Sequence, residues 1–219
     1  MGTLRIQPLD PATASDAELA AIHALDGAVD QDALPGDPPI PLEHALAGYR
    51  RARPATVRGW WVASQGDEIV GRSACAYDEV PENRSHAFVD VAVHPAARRA
   101  GLGTVLLGHA IEAARGWDCS LLDITARVGG PGEPFLRALG AELRMIERRS
   151  RCLTGNIDRA QLETWVRRAR ERAAGYSLVA WDGPCPDALI EDFAAVKHVM
   201  NTAPLEALEL DDHRFTPER

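Results

Sequence analysis

The stretch from His86 to Arg115 constrains this chain more than any other, because a strand-like run, a glycine loop flanked by two arginines and an apolar helix follow without a break. Residues 86–93 alternate and are rich in valine, which predicts a strand ending at Val93, and Pro95 removes the next ladder donor. Arg98, Arg99, Gly101 and Gly103 come next. The glycines let the backbone approach a ligand closely, and the helix opening at Leu102–Thr104 aims its unpaired N–H groups and positive dipole end at the same place. An anion belongs there, with the arginines as paired donors to phosphate oxygens.

A dinucleotide fingerprint is not what this loop spells, since a third glycine in register and an acidic residue on a following strand are both missing. A triphosphate loop needs Gly-Lys-Ser/Thr, which the chain does not contain. A strand-to-helix turn with no ligand is the other reading. The run from Val91 to Gly103, however, resembles the acetyl-CoA signature of the GNAT superfamily of N-acetyltransferases, whose core pattern is Arg/Gln-x-x-Gly-x-Gly/Ala, here Arg98 to Gly103. The resemblance covers about residues 3–153 and implies acetyl-CoA as cofactor. It also implies an α/β (α+β) fold: a central mixed, mostly antiparallel sheet, with its fourth and fifth strands parallel, flanked by helices. By the family pattern Val91, Ala92 and Val93 lie along the pantetheine, Val91 and Val93 bonding it through their backbone. The pyrophosphate falls to Arg98, Arg99, Ala100, Gly101, Leu102, Gly103 and Thr104.

Along the chain, Thr3–Leu9 reads as a first strand, and the capping box Ser15-x-x-Glu18 starts a helix at about Asp16 with Leu19, Ile22, Leu25 and Val29 on one face. The proline-rich residues 34–41 cannot be regular, and a short helix spans Leu42–Arg51. In the resembling family these helices and their loop shape the acceptor pocket. Gly59–Ser64 and Glu68–Tyr77 form a hairpin around Gln65, Gly66 and Asp67, and His86–Val93 joins them. Leu121–Ala126 is the next strand, parallel to His86–Val93 because a long helix connects the two. A short helix from Pro131, stopped by Gly140, precedes a strand expected over Ala141–Leu153.

Beyond Thr154, Asp158–Ala173 is an amphipathic helix, Tyr176–Trp181 is expected as a strand that joins a sheet, and a helix from Asp187 carries Leu189, Phe193, Val196 and Met200 in its apolar stripe. This strand, loop and helix are laid out like Leu4–Val29. Either residues from about 176 open a second, incomplete repeat of a tandem-GNAT protein, which is preferred, or they close a single domain. The tail ends on what looks like a helix start at Thr216–Arg219. The expected division is an acyl-CoA-binding domain over 1–182 and an extension over 183–219.

The chain has 219 residues, 46% hydrophobic and 26% charged, as in a soluble globular protein. No apolar run spans a bilayer and Met1–Pro8 has no secretory core, so a cytoplasmic location with no membrane partner is expected. The net charge of −8 argues against nucleic acid as a partner and is compatible with steering a cationic amine. Four scattered cysteines, Cys75, Cys119, Cys152 and Cys185, indicate neither a metal site nor a disulfide framework. A homodimer or a second GNAT domain is a possible partner.

Transfer to an amine needs a proton acceptor for the amine, a donor to the thioester oxygen and a proton for the leaving thiolate. The general-base glutamate common in the family falls at Ala87, and the tyrosine of its Phe-Tyr pair is replaced by Leu136. The catalytic candidates that remain are Asp90, His86 and Glu133, with Tyr77 and Cys75 as weaker ones. Asp90 shares a strand face with Phe88 and Ala92, His86 has a titration range suited to base work, and Glu133 starts the helix near the thiol end of the cofactor. Each also has a structural reading: a solvated or salt-bridged strand carboxylate, an exposed histidine, a helix-start charge. Trp60 and Trp61 are candidates to line an acceptor site, against the structural reading that adjacent tryptophans on a strand put one ring in the core.

Overall fold

The computed structural model describes residues 3–51, 55–204 and 207–217. The first strand, β1, is Leu4–Pro8. The capping box then forms in full: the Glu18 N–H donates to Ser15 Oγ at 3.2 Å, and the Ser15 N–H donates to the Glu18 carboxylate at 2.9 Å. Helix α1 therefore spans Asp16–Ala33, burying Leu19, Ile22 and Leu25, and α2 spans Leu42–Arg50. Strands β2 (Thr56–Gln65), β3 (Glu68–Asp78) and β4 (His86–Val93) follow. Helix α3 is Leu102–Gly116, β5 is Leu121–Ile124 and α4 is Gly132–Ala138.

The five strands lie in sequence order, antiparallel from β1 to β4 and parallel between β4 and β5. This is the mixed sheet the resemblance implies. β2 reaches Thr56, beyond the expected start, because it stays in register with β3 as far as the Thr56–Asp78 pair, where the Thr56 hydroxyl donates to the Asp78 carboxylate at 2.6 Å. β5 stops two residues before the expected Ala126, since its last partner is Val89, opposite Ile124.

The pleat sends alternate residues to opposite faces. On one face Ala87, Val89, Cys75 and Tyr77 pack with Leu107, Ala110 and Ala114 of α3. Gly71 makes this approach possible, because a Cβ there would stand 2.8 Å from a methyl of Leu106. On the other face Val62, with Trp60 beside it, packs under Leu19 and Ile22 of α1. Trp60 and Trp61 therefore do part company, Trp61 joining the α3 side against His109, with ring centroids 6.0 Å apart.

The chain divides into two compact units, 1–142 and 143–219, a different cut from the functional division expected at 182/183. In the second unit α5 (Arg159–Arg172) is capped by Asp158, whose side chain accepts from the Gln161 N–H, and α6 (Asp187–Lys197) follows. Two expectations are corrected here. Residues 141–153 form no strand, and neither do residues 176–181. Alternation shows which side chains a strand would bury, but a strand also needs a neighbour for its ladder and a layer to cover it. Leu143, Ile146 and Leu153 stay exposed, as do Tyr176 and Leu178, so neither segment has that cover. The apolar stripe of α6 is likewise open at Phe193 and Val196, as is Met200 in the 3-10 turn that follows the helix. The helix start read at Thr216–Arg219 falls partly outside the described residues. No described helix is long and apolar enough to cross a membrane.

Candidate active site

The end of β4 carries a backbone pattern that the register makes legible. The His94 N–H donates to the Val70 carbonyl at 2.9 Å, and in an antiparallel ladder alternate residues turn their polar groups to the same neighbour. Ala92 and Asp90 thus face β3, while Val91 and Val93 turn theirs the other way, past the last β4–β5 pair at Val89 and Ile124. The Val93 carbonyl agrees with this direction, because it accepts from Arg98 Nε at 3.2 Å. Arg98 is further tied by its Nη1 to Asp32 of α1 at 2.6 Å. Its guanidinium is therefore engaged by protein groups, the Val93 carbonyl and the Asp32 carboxylate.

Arg99 and Gly101 both take left-handed angles, φ 66° and 80°, to bring the chain into α3. Gly101 is the N-cap of α3 and has no side chain to cap it. The first N–H groups of the helix therefore open onto the loop, beside the outward backbone of Val91 and Val93. Gly103 meets the expectation differently. A Cβ there would touch Phe135 at 3.6 Å and Val93 at 3.8 Å, so it faces an apolar contact. The conformational demand for glycine sits at Gly101.

Asp90 stands one residue beyond the last β4–β5 pair, on the face turned to α1 and α2. There it lines a cavity of about 410 Å³ with Tyr49 of α2, Trp60 of β2 and Phe88 of β4. Beneath lies an ion cluster. Arg72 Nη1 donates to Asp90 Oδ2 at 2.5 Å, Arg72 Nε to Asp26 Oδ1 at 2.6 Å, and the Tyr49 hydroxyl to Asp26 Oδ2 at 2.5 Å. Burial pulls the Arg72 guanidinium down, but Asp90 and Asp26 outweigh it and hold it above its ordinary value. Burial and the bond to Asp26 push the Tyr49 phenol up. None of Arg72, Asp26 and Tyr49 stands out in the sequence, because their partners lie 18 to 46 positions away.

The other sequence candidates have partners of their own. His86 is buried where β4 begins, with Nδ1 2.9 Å from Asp123 Oδ2 on β5, so the exposed-histidine reading is corrected. Glu133 accepts from the Gly129 N–H at 2.8 Å and pairs with Arg137 at 3.1 Å, and these two contacts, the first the larger, hold its carboxyl below the usual range. Cys75 lies in the core, where burial pushes its thiol up to about 11. Tyr77 is also buried there, under the guanidinium of Arg84 at 4.4 Å. Ala87 is fully covered, leaving no side chain where the family's glutamate falls.

Solved structures share this architecture. A tandem GNAT protein from the clavulanic acid biosynthesis pathway is 30% identical, with a TM-score of 0.51, over 63% of this chain and 43% of its own. The chain thus spans under half the length of that relative. An aminoglycoside acetyltransferase from an uncultured soil metagenomic sample, solved with sisomicin, is 19% identical over 68% of this chain and 97% of its own, at a TM-score of 0.51. An integron cassette protein from the mobile metagenome of V. cholerae is 18% identical over 74% and 97%, again at 0.51. These last two identities speak for the fold alone. No curated protein sequence matches significantly. The model of the acetyltransferase (GNAT) family matches residues 29–140, which take in α2, the whole β2–β5 sheet, the glycine loop and α4, and with half of the chain so matched the protein belongs to that family.

Proposed function

We propose that this protein moves an acetyl group from acetyl-CoA to an amine of a small molecule or peptide by direct attack. The observation that carries this is the meeting of two features at Asp90: the outward backbone of Val91 and Val93 beside an uncapped helix N-terminus, and the aromatic groove under α2. Amide donors and a glycine at φ 80° suit a pyrophosphate, and strand edge groups suit an amide-bearing pantetheine, so the residues present fit the cofactor. Val91 and Val93 would hold the pantetheine, and Arg98 to Thr104, Arg99, Ala100, Leu102 and Gly103 included, the pyrophosphate. Bound there, acetyl-CoA supplies an activated thioester carbon.

The chain's own residues then have to place an amine and take its proton. The N–C bond forms, the C–S bond breaks with its electron pair leaving on the coenzyme A sulfur, the amine's proton passes to a base or to water, and the thiolate takes up a proton from water to leave as the thiol. Asp90 is the best placed of the three candidates, since its carboxylate is exposed in the groove, oriented by Arg72, and next to the gap beyond β5. Glu133 is occupied and held weakly basic, and His86 is committed to Asp123. With neither the family's glutamate nor its tyrosine, deprotonation through an ordered water at Asp90 is expected, with activity rising with pH toward the acceptor's own pKa. The test is thiol release from acetyl-CoA across a panel of amines. Asp90→Asn should cost roughly ten-fold if the residue orders a water and about a hundred-fold if it is the base. A rate plateau near pH 7 that survives Asp90→Asn would exclude both.

A second reading has a specific observation in its favour. Because 43% of a tandem GNAT protein is matched and the usual acid and base are missing, the chain also suits the role of a CoA-holding, catalytically weak half of a tandem protein, with residues 183–219 leading to a further repeat. Acetyl-CoA binding without thiol release from any amine would select it.

A further inference from the structure

The groove under α2 also constrains what can enter it. Its walls are flat and apolar: Tyr49 and Trp60 are fixed edge to face with centroids 5.7 Å apart, and Phe88 is 50% exposed on the same face. The cavity of about 410 Å³ suits a small ligand, near the lower end of the roughly 300–1,000 Å³ usual for ligand pockets. Its polar end is acidic. Asp90, Asp26 and Asp30 gather around the single guanidinium of Arg72, so negative charge is in surplus there, and burial and then Asp26 raise the Asp30 carboxyl accordingly. The carbonyls at the carboxyl end of α2 add partial negative charge on the side of Tyr49, while Arg51 and Arg58 are the cations of the lining. Arg58 is directed onto that end, its Nη1 donating to the carbonyls of Tyr49 at 3.2 Å and Arg51 at 3.1 Å.

We infer that the groove selects a primary amine on a flat apolar body, an arylalkylamine, recognised as its cation and preferred over amines with a carboxylate beside the nitrogen. The ammonium pairs with Asp90 and sits against the aromatic faces, which attract cations. A carboxylate next to it is brought against Asp90, the one carboxylate of the lining, where like charge repels it. This rests on the groove being the acceptor side of the transferase proposed above.

Calorimetry on the full chain, with and without free coenzyme A, tests it using 2-phenylethylamine, phenylalanine and 3-phenylpropanoate. The amine should bind at least about ten-fold more tightly than either other compound, the difference expected of a single charge-assisted hydrogen bond. Asp90→Asn should weaken it about ten-fold, and Phe88→Ala about five-fold with an unchanged melting midpoint, since that ring is half exposed. Equal binding of the three compounds, no amine binding in either state, or an affinity that neither variant moves overturns the assignment. Thiol release separates this from the transferase reading: amine binding without release sinks only the latter, and release with phenylalanine but not with 2-phenylethylamine sinks only the former.

Discussion

Two alternating segments of this chain met opposite fates. Residues 86–93 became a central strand, with β3 on one side, β5 on the other and α3 beneath. Residues 141–145 alternate too, yet neither they nor residues 146–153 form a strand, and Leu143, Ile146 and Leu153 remain 59–64% exposed. The same contrast runs through the two units: of the buried apolar residues among those described, only Ala194 lies beyond 142. Alternation is a necessary pattern whose stabilisation comes from neighbours, each buried apolar side chain contributing about 1.5–3 kcal/mol that an exposed one does not. The first unit should therefore answer to substitution and the second hardly at all.

The sharpest contrast is between ion pairs. Arg72→Met strands Asp26 and Asp90 at a site where the arginine side chain is only 12% exposed, and should cost about 3–5 kcal/mol. Arg144→Met, which loses the exposed pair with Glu209, should cost under about 1 kcal/mol. Urea unfolding followed by circular dichroism measures both, and similar losses would erase the distinction between the units. Core truncation comes next. Leu106→Ala, at a fully buried position of α3, should lower stability by about 2–5 kcal/mol, whereas Leu178→Ala, fully exposed, should stay within about 0.5 kcal/mol.

Glycine replacement separates strain from function. Gly101→Ala and Gly183→Ala impose the same left-handed strain, at φ 80° and 82°, and each should cost about 1–2 kcal/mol. Only the first should also weaken acetyl-CoA binding, read as a smaller rise in melting temperature on adding the ligand. Gly103→Ala, whose Cβ makes ordinary contacts with Phe135 and Val93, should disturb stability less. The smallest effect is electrostatic. Burial and Asp26 raise the folded-state pKa of Asp30, so folding favours its neutral form. The penalty is absent below the ordinary aspartate range, near about 3.9, and grows as pH rises through the folded value. Asp30→Asn should thus stabilise by about 0.5 kcal/mol at pH 7, screening by solvent included, and by nothing near pH 3. A gain that persists in acid would place its origin elsewhere.

By itself the sequence determined what is local. The capping box at Ser15, the strand at His86–Val93 and the helix α3 opening after Gly101 are set by spacing, β-branching and glycine chemistry within a few residues, and formed as read. It also named Asp90 and both tryptophans. Tertiary structure alone decided the rest, since it depends on groups distant in the chain. Arg72 found Asp26 across 46 positions, Asp123 claimed His86 across 37, and the ladder of β5 ended at Ile124, opening the edge where Val91 and Val93 point outward. The failure of residues 141–153 and 176–181 to become strands has the same cause: a strand's hydrogen bonds lie outside its own segment, whereas a helix carries its own.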